Sequence, residues 1–166
     1  MIKIKINTMT VSIIKPNKSK RDDTVITIKR KNETYVTKFR TDDKKFKFNY
    51  EDEKLFNQVI CEDKEIYMMF MYDEMTKEQY DINKNYNFLG EKKEVEEFIW
   101  NGYSAYADRF EEVEVRIIIL LKEQDGNVLV LRMNIEDNDN DDLNVKEAFL
   151  SQEVQDFLST MEFIDE

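Results

Sequence analysis

The densest run of chemistry-bearing side chains lies in "NIEDNDNDDLNVKE", Asn134 to Glu147, where Glu136, Asp137, Asp139, Asp141 and Asp142 crowd together. Carboxylate and amide oxygens at this density are what a calcium loop needs. In a twelve-residue loop beginning at Glu136, Asn138 and Asn140 take positions 3 and 5, Leu143 the apolar position 8 and Glu147 the closing position. Asp141 then stands where glycine makes the sharp turn, and a strand precedes the loop where a helix should. Starting the frame at Asp137 brings Asp139 and Asp141 into register but closes it on Ala148. A helix entry accounts for more of the stretch. Asn144 and Glu147 form an N-x-x-E capping arrangement, in which Asn144 accepts an amide bond and Glu147 bonds back. The residues before it read as a solvated strand-to-helix loop, available as an acidic contact surface, with no metal expected.

Elsewhere the chemistry is sparse. The chain has no histidine, which removes the commonest general base near neutral pH, any histidine-activated nucleophile and nearly every transition-metal site. Three glycines cannot supply a phosphate-cradling loop, and neither glycine-rich nucleotide motif occurs. A magnesium-dependent nuclease would need a set such as Asp42 or Asp52 with Glu62, Asp63 and Lys64. In a sequence with 36 acidic residues such a triplet arises by chance. A glycosidase-type carboxylate pair has no recognisable signature against that background. Cys61 follows an apolar stripe and reads as a small buried hydrophobe. The expectation is a non-enzymatic protein with no cofactor.

With 166 residues the chain fits one domain, a size that buries roughly 70% of its unfolded surface and folds without staples. A subdivision into 1–72 and 91–166 about the irregular segment 73–89 is the alternative. The single cysteine excludes an internal disulfide and suits a reducing cytoplasm. "MIKIKINTMT" lacks the apolar region of a signal peptide, and "YMMFMY" and "VRIIILL" are far short of a membrane span.

The elements that would position these residues follow from periodicity. Ile2, Ile4 and Ile6 alternate with lysines as in a strand, "TVSII" extends it, and "KPNKSKRDD" is a loop. "TVITIKR" and "TYVTKF" form a hairpin, and "KFKFNY" is a strand with Phe46, Phe48 and Tyr50 on one face. Leu55, Phe56, Val59 and Ile60 predict a short helix over 52–60, and "EIYMMFMY" predicts a strand buried on both faces. Residues 73–89 show no dominant period and read as a lid, a wrapped loop or a linker. Val95, Phe98, Ile99, Gly102, Tyr103, Tyr106 and Phe110 fit one stripe of an amphipathic helix beginning near Glu91, with Gly102 at a close approach. "EVEVRIIILLKEQ" and "NVLVLRMNI" flank Asp125-Gly126 and predict a long hairpin, Val113 to Leu121 facing Leu129 to Ile135 on one apolar side. Ala148, Phe149, Val154, Phe157, Leu158 and Met161 are the buried positions of a last helix, or of two if Ser151 caps a second. The fold class expected is α+β: a strand-rich N-terminal half of antiparallel hairpins, then helix, long β-hairpin and C-terminal helix.

Charge is unevenly divided. Residues 1–50 hold 14 Lys+Arg against 5 Asp+Glu, and residues 51–166 hold 11 against 31, for a net of −11. Drift in a genome rich in Lys, Asn, Asp and Ile codons would produce such asymmetry, and so would charged partners, for which it offers two contact surfaces. The acidic one comprises Glu94, Glu96, Glu97, Glu111, Glu112, Glu114, Glu136, Asp137, Asp139, Asp141 and Asp142. Carboxylates on rigid elements imitate a phosphate backbone, steer a basic partner and weaken in salt. The basic one comprises Lys18, Lys20, Arg21, Lys44, Lys45 and Lys47, with Phe46 and Phe48 interleaved as on a strand that stacks bases. Alternation places those aromatics opposite the lysines, which favours a protected edge strand over a nucleic-acid platform. In size, acidity, α+β pattern and lack of catalytic residues the chain looks like small phage-encoded antagonists such as anti-CRISPR proteins, and like bacterial immunity proteins that block nuclease toxins. No alignable motif carries that likeness, and no residue role is transferred by it. It implies an inhibitor whose partner is a basic protein, such as a nuclease, with direct nucleic-acid binding as the alternative and no membrane association.

Overall fold

The structure is a computed structural model, and it describes residues 24–29, 35–41, 45–51 and 56–165. The strand expected at the N-terminus, the loop after it, and residues Lys18, Lys20, Arg21, Asp42, Lys44, Asp52 and Leu55 lie outside the described residues.

Two antiparallel sheets organise the chain. A three-stranded sheet has the order β1 (Thr24–Lys29), β2 (Tyr35–Thr41), β10 (Glu162–Asp165). The seven-stranded sheet is two meanders joined side by side. One contains β3 (Phe46–Glu51), β4 (Phe56–Cys61) and β5 (Ile66–Thr76). The other contains β6 (Glu96–Trp100), β7 (Tyr103–Phe110), β8 (Val115–Gln124) and β9 (Asn127–Asp137). The seam is β5 against β9, paired from Ile66↔Asp137 to Thr76↔Asn127, so the order is β3-β4-β5-β9-β8-β7-β6. After β5 the chain crosses to the far edge through α1 (Lys77–Asn85), which lies on one face. The short helices α2 (Val145–Phe149) and α3 (Gln152–Leu158) cover the other face together with the small sheet.

The core sits between the large sheet and that second layer. Ile66, Met68, Phe70 and Tyr72 of β5 point inward beside Leu129, Leu131, Met133 and Ile135 of β9 and Val115, Ile117, Ile119 and Leu121 of β8. Phe157 of α3 ties the layers together. Its ring stacks on Phe46 of the large sheet at 4.4 Å and on Phe39 of the small sheet at 5.0 Å. A buried hydrogen bond between the Thr37 and Tyr72 hydroxyls joins the two sheets as well.

The α+β class, the β1–β2 hairpin and the long β8–β9 hairpin agree with the sequence reading. Asp125 and Gly126 turn the latter with φ of 53° and 76°. Val113 belongs to the preceding turn and is exposed, so the apolar face begins at Val115. All six residues expected to be buried near the C-terminus are buried, five on two helices and Met161 just before the unforeseen β10.

Three readings are corrected. The helix expected from Glu91 to Phe110 is the β6–β7 hairpin, turned at Asn101-Gly102 with φ of 48° and 86°. Asn-Gly fits a two-residue left-handed turn, and Phe98 and Trp100 are buried while Glu97 and Ile99 are exposed, a period of two. The helix placed over 52–60 is strand at Phe56–Cys61, held between β3 and β5 with Val59 and Cys61 inward. Residues 73–89 hold the end of β5, all of α1 and a tight turn. Thr76 caps that helix by accepting from the Gln79 amide at 3.1 Å, a T-x-x-Q signal in the sequence. "EIYMMFMY" is a strand, but its second face is only half-buried.

Substituting Gly102 by Ala puts a Cβ into a left-handed conformation that costs a side-chain-bearing residue about 1–2 kcal/mol. Open space surrounds the position, so no clash adds to this. The expected result is an unfolding free energy lowered by that amount, read as a lower chemical-denaturation midpoint with an unchanged m-value.

Candidate acidic interface

The order of the strands gathers three acidic loops at one end of the large sheet. β5 begins there, β9 ends there, and the β7–β8 turn lies beside them. Backbone bonds tie the loops together: Asn138 donates to the Glu65 carbonyl at 2.7 Å, and Val145 donates to the Glu112 carbonyl at 2.7 Å. The Asn140 side-chain amide reaches the Glu65 carboxylate at 2.9 Å.

Inside "EDNDNDD" the polar side chains build the loop. Asp137 accepts the Asn140 amide at 3.1 Å, and Asn140 accepts the Asp142 amide at 3.2 Å. Asp139 takes the left-handed conformation that Asp tolerates. Asn144 then caps α2 by accepting the Glu147 amide at 3.0 Å. Self-bonded in this way, the loop needs no ion to hold its shape, and among the described residues no group of three or more carboxylates or thiols has the geometry to hold one.

The proposed acidic residues divide by what they touch. Glu111, Glu112, Asp139, Asp141 and Asp142 are exposed, and no lysine or arginine among the described residues pairs with them. Asp137 and Glu136 stand at the base of the loop, and the Tyr67 hydroxyl donates to Glu136. Burial first, and then this hydrogen bond, pushes the Tyr67 hydroxyl up to about 12. Glu114 is internal to the fold: Arg109 donates to it at 3.2 Å and Arg116 at 3.0 Å. Glu97 pairs with Lys84 of α1, and Glu94 and Glu96 are exposed leading into and along edge strand β6. The candidate interface is thus the five carboxylates without a cation partner among the described residues, with Asp137 and Glu136 beneath them. Glu65, which sequence reasoning passed over, joins them through the register of β5.

Of the basic alternative the described residues include Lys45 and Lys47, and both are paired with acids. Lys45 lies 3.1 Å from Asp63 and 3.6 Å from Glu153, and Lys47 lies 2.5 Å from Glu62. Phe46 is buried against Phe157 while Lys47 is exposed, so ring and ammonium face opposite ways. The "EDK" turn that resembled a magnesium set is one helical turn whose acids are matched by these lysines. Cys61 is fully buried in the core.

Asp108 centres a second ion network behind the interface. Lys93 donates to one of its oxygens at 2.5 Å and Arg116 to the other at 3.1 Å. Burial raises its pKa, and the bonds and charges of Lys93 and Arg116 outweigh that, holding the carboxyl below its ordinary 3.8. A depressed folded pKa contributes stability that is present above the unfolded value and lost as pH falls through the folded one. Acid titration of the wild type is therefore expected to show stability declining below pH 3.8. Asp108→Asn is expected to lose about 2 kcal/mol at neutral pH and to flatten that acid limb. Thermal melts at stepped pH measure both.

No family model matches the chain, and the searches of curated proteins and of solved structures return no match to it. Among the described residues no helix is long and apolar enough to cross a membrane.

Proposed function

We propose that this chain is a non-enzymatic interaction protein that engages a basic, nucleic-acid-handling protein through its acidic loop end. The observation that supports this most is the convergence of three loops, two of which carry the exposed carboxylates Glu111, Glu112, Asp139, Asp141 and Asp142, with no cation partner among the described residues. Gathering like charges at one end of a sheet opposes the compact state. A partner bearing lysines and arginines relieves that repulsion, and the summed field speeds its encounter. Rigidity adds to the effect, because turns held by Asp137, Asn140 and Asn144 lose little entropy when a partner binds. Inhibition of a nuclease, by occupying the groove that otherwise takes a phosphate backbone, is the form this reading takes.

The test is affinity capture from an extract of the source cells, with the wild-type chain and a variant carrying Glu111→Gln, Glu112→Gln, Asp139→Asn, Asp141→Asn and Asp142→Asn. The expected result is a basic protein retained by the wild type, released by salt and absent from the variant. Capture of the same protein by both baits, or of no basic protein by either, contradicts the proposal.

A further inference from the structure

A groove of about 780 Å³ runs between the face of the large sheet that carries α1 and the chain segment following that helix. Its floor contains Arg132 of β9, set between Met71 and Ile118 on the neighbouring strands. The guanidinium is poorly answered by the protein. Nη2 meets only the Met71 sulfur, at 3.5 Å, Nη1 stands 3.6 Å from Asp73, and the buried Nε–H has no acceptor among the described residues. The contrast with Arg116, one strand away, is direct. That guanidinium shares the buried Nε–H without an acceptor among the described residues, but its terminal nitrogens donate to Asp108 and Glu114 at 3.1 and 3.0 Å.

The side chain is one-third exposed, and its two terminal nitrogens, each weakly matched, can take the two oxygens of one oxyanion. Lys93, Arg109 and Arg116 also line the groove, but Asp108 and Glu114 answer them at 2.5–3.2 Å, which leaves Arg132, 3.6 Å from Asp73, as the least matched cation and the place for a single negative charge. The walls add an apolar demand. Met75 and Ile118 line the sheet side, and Ile82, Tyr86 and Phe88 form the opposite rim, with Phe88 95% exposed. That rim is held in place. Asn87 accepts the amides of Leu89 at 2.9 Å and Glu91 at 3.0 Å, and its own amide donates to the Glu91 carbonyl at 2.8 Å.

The geometry points to a binding site for a monocarboxylate with an apolar or aromatic body, its carboxylate on Arg132 and its body between Ile118 and the Phe88 rim. The same chemistry is offered by a free aryl or aliphatic acid and by the C-terminal residue of a polypeptide. The site is separate from the acidic loop end and does not depend on it.

Amide-resolved NMR titration of the full chain tests this with four probes: 3-phenylpropionate and its amide, and acetyl-Ala-Ala-Phe with a free or amidated C-terminus. Resonances of Met71, Ile118, Arg132 and Phe88 are expected to shift with at least one acid, and its amide is expected to bind roughly tenfold more weakly or less, the loss of one charge-assisted contact. Whichever acid binds more tightly identifies the source of the ligand. Arg132→Leu is expected to abolish the preference for acid over amide. Phe88→Ser, at a position whose exposure makes folding indifferent to it, is expected to weaken the acid and its amide alike. Equal binding of acid and amide, an unchanged preference in Arg132→Leu, or no shift with any probe overturns the proposal.

Discussion

Phe157→Ala is expected to lower stability by about 3–5 kcal/mol, the usual cost of removing a buried aromatic ring and leaving a cavity. Few substitutions in this chain reach so many elements. The ring belongs to α3, stacks on Phe46 of β3 and Phe39 of β2, and Phe39 in turn meets Phe70 of β5 at 4.8 Å. Aromatic pairs contribute roughly 0.5–1.5 kcal/mol each beyond the area they bury, so two pairs are lost with one residue. For a protein of this size a loss of that magnitude lowers Tm on the order of 10 °C. The control is Phe88→Ala, another Phe-to-Ala change but at an exposed position, where Tm is expected to stay unchanged. A Phe157→Ala loss under about 1 kcal/mol would mean that α3 and the small sheet do not close the core.

Neutralising Glu111, Glu112, Asp139, Asp141 and Asp142 is the second large effect, and its two consequences have opposite signs. Folding is expected to be unharmed or slightly favoured at low salt, because the five side chains are exposed and their mutual repulsion disappears. Association with a basic partner is expected to slow by roughly one to two orders of magnitude, the part of the rate that electrostatic steering supplies. Stopped-flow mixing with the captured partner measures the second, and a thermal melt in low-salt buffer measures the first. Slower association with unchanged stability assigns these carboxylates to recognition.

The charge of this interface was legible in the sequence, and its assembly was not. "EDNDNDD" and "RFEEVEVR" stand out in composition alone, and the Asn144 cap follows from local spacing. That these two segments meet each other and Glu65 depends on β5 pairing with β9, residues some seventy positions apart, which no local pattern records. The same long-range seam creates the Arg132 groove. Local signals misled where two periods fit the same residues. Phe98, Gly102, Tyr106 and Phe110 satisfy a helical stripe, yet Asn101-Gly102 carries the left-handed turn that makes a hairpin, and the turn chemistry decides. Asp125-Gly126 was readable because unambiguous alternation flanks it on both sides. In residues 73–89 a capping Thr76 and Gln79 marked a helix that buries little beyond Tyr80, so hydrophobic periodicity had almost nothing to show. Likewise the pairing of Lys45 and Lys47 with the "EDK" acids needed the β3–β4 register to become visible.

Fixed negative charge at one end of the sheet is the feature on which the proposed recognition rests, and the salt dependence of the complex measures it most directly. Binding of the captured partner would be followed by calorimetry at several sodium chloride concentrations spanning the physiological range, where the Debye length is about 8 Å. The prediction is an affinity that falls steadily with added salt for the wild type and a much shallower dependence for the five-residue neutralised variant. An affinity that holds constant across the series, or falls equally for both proteins, contradicts it.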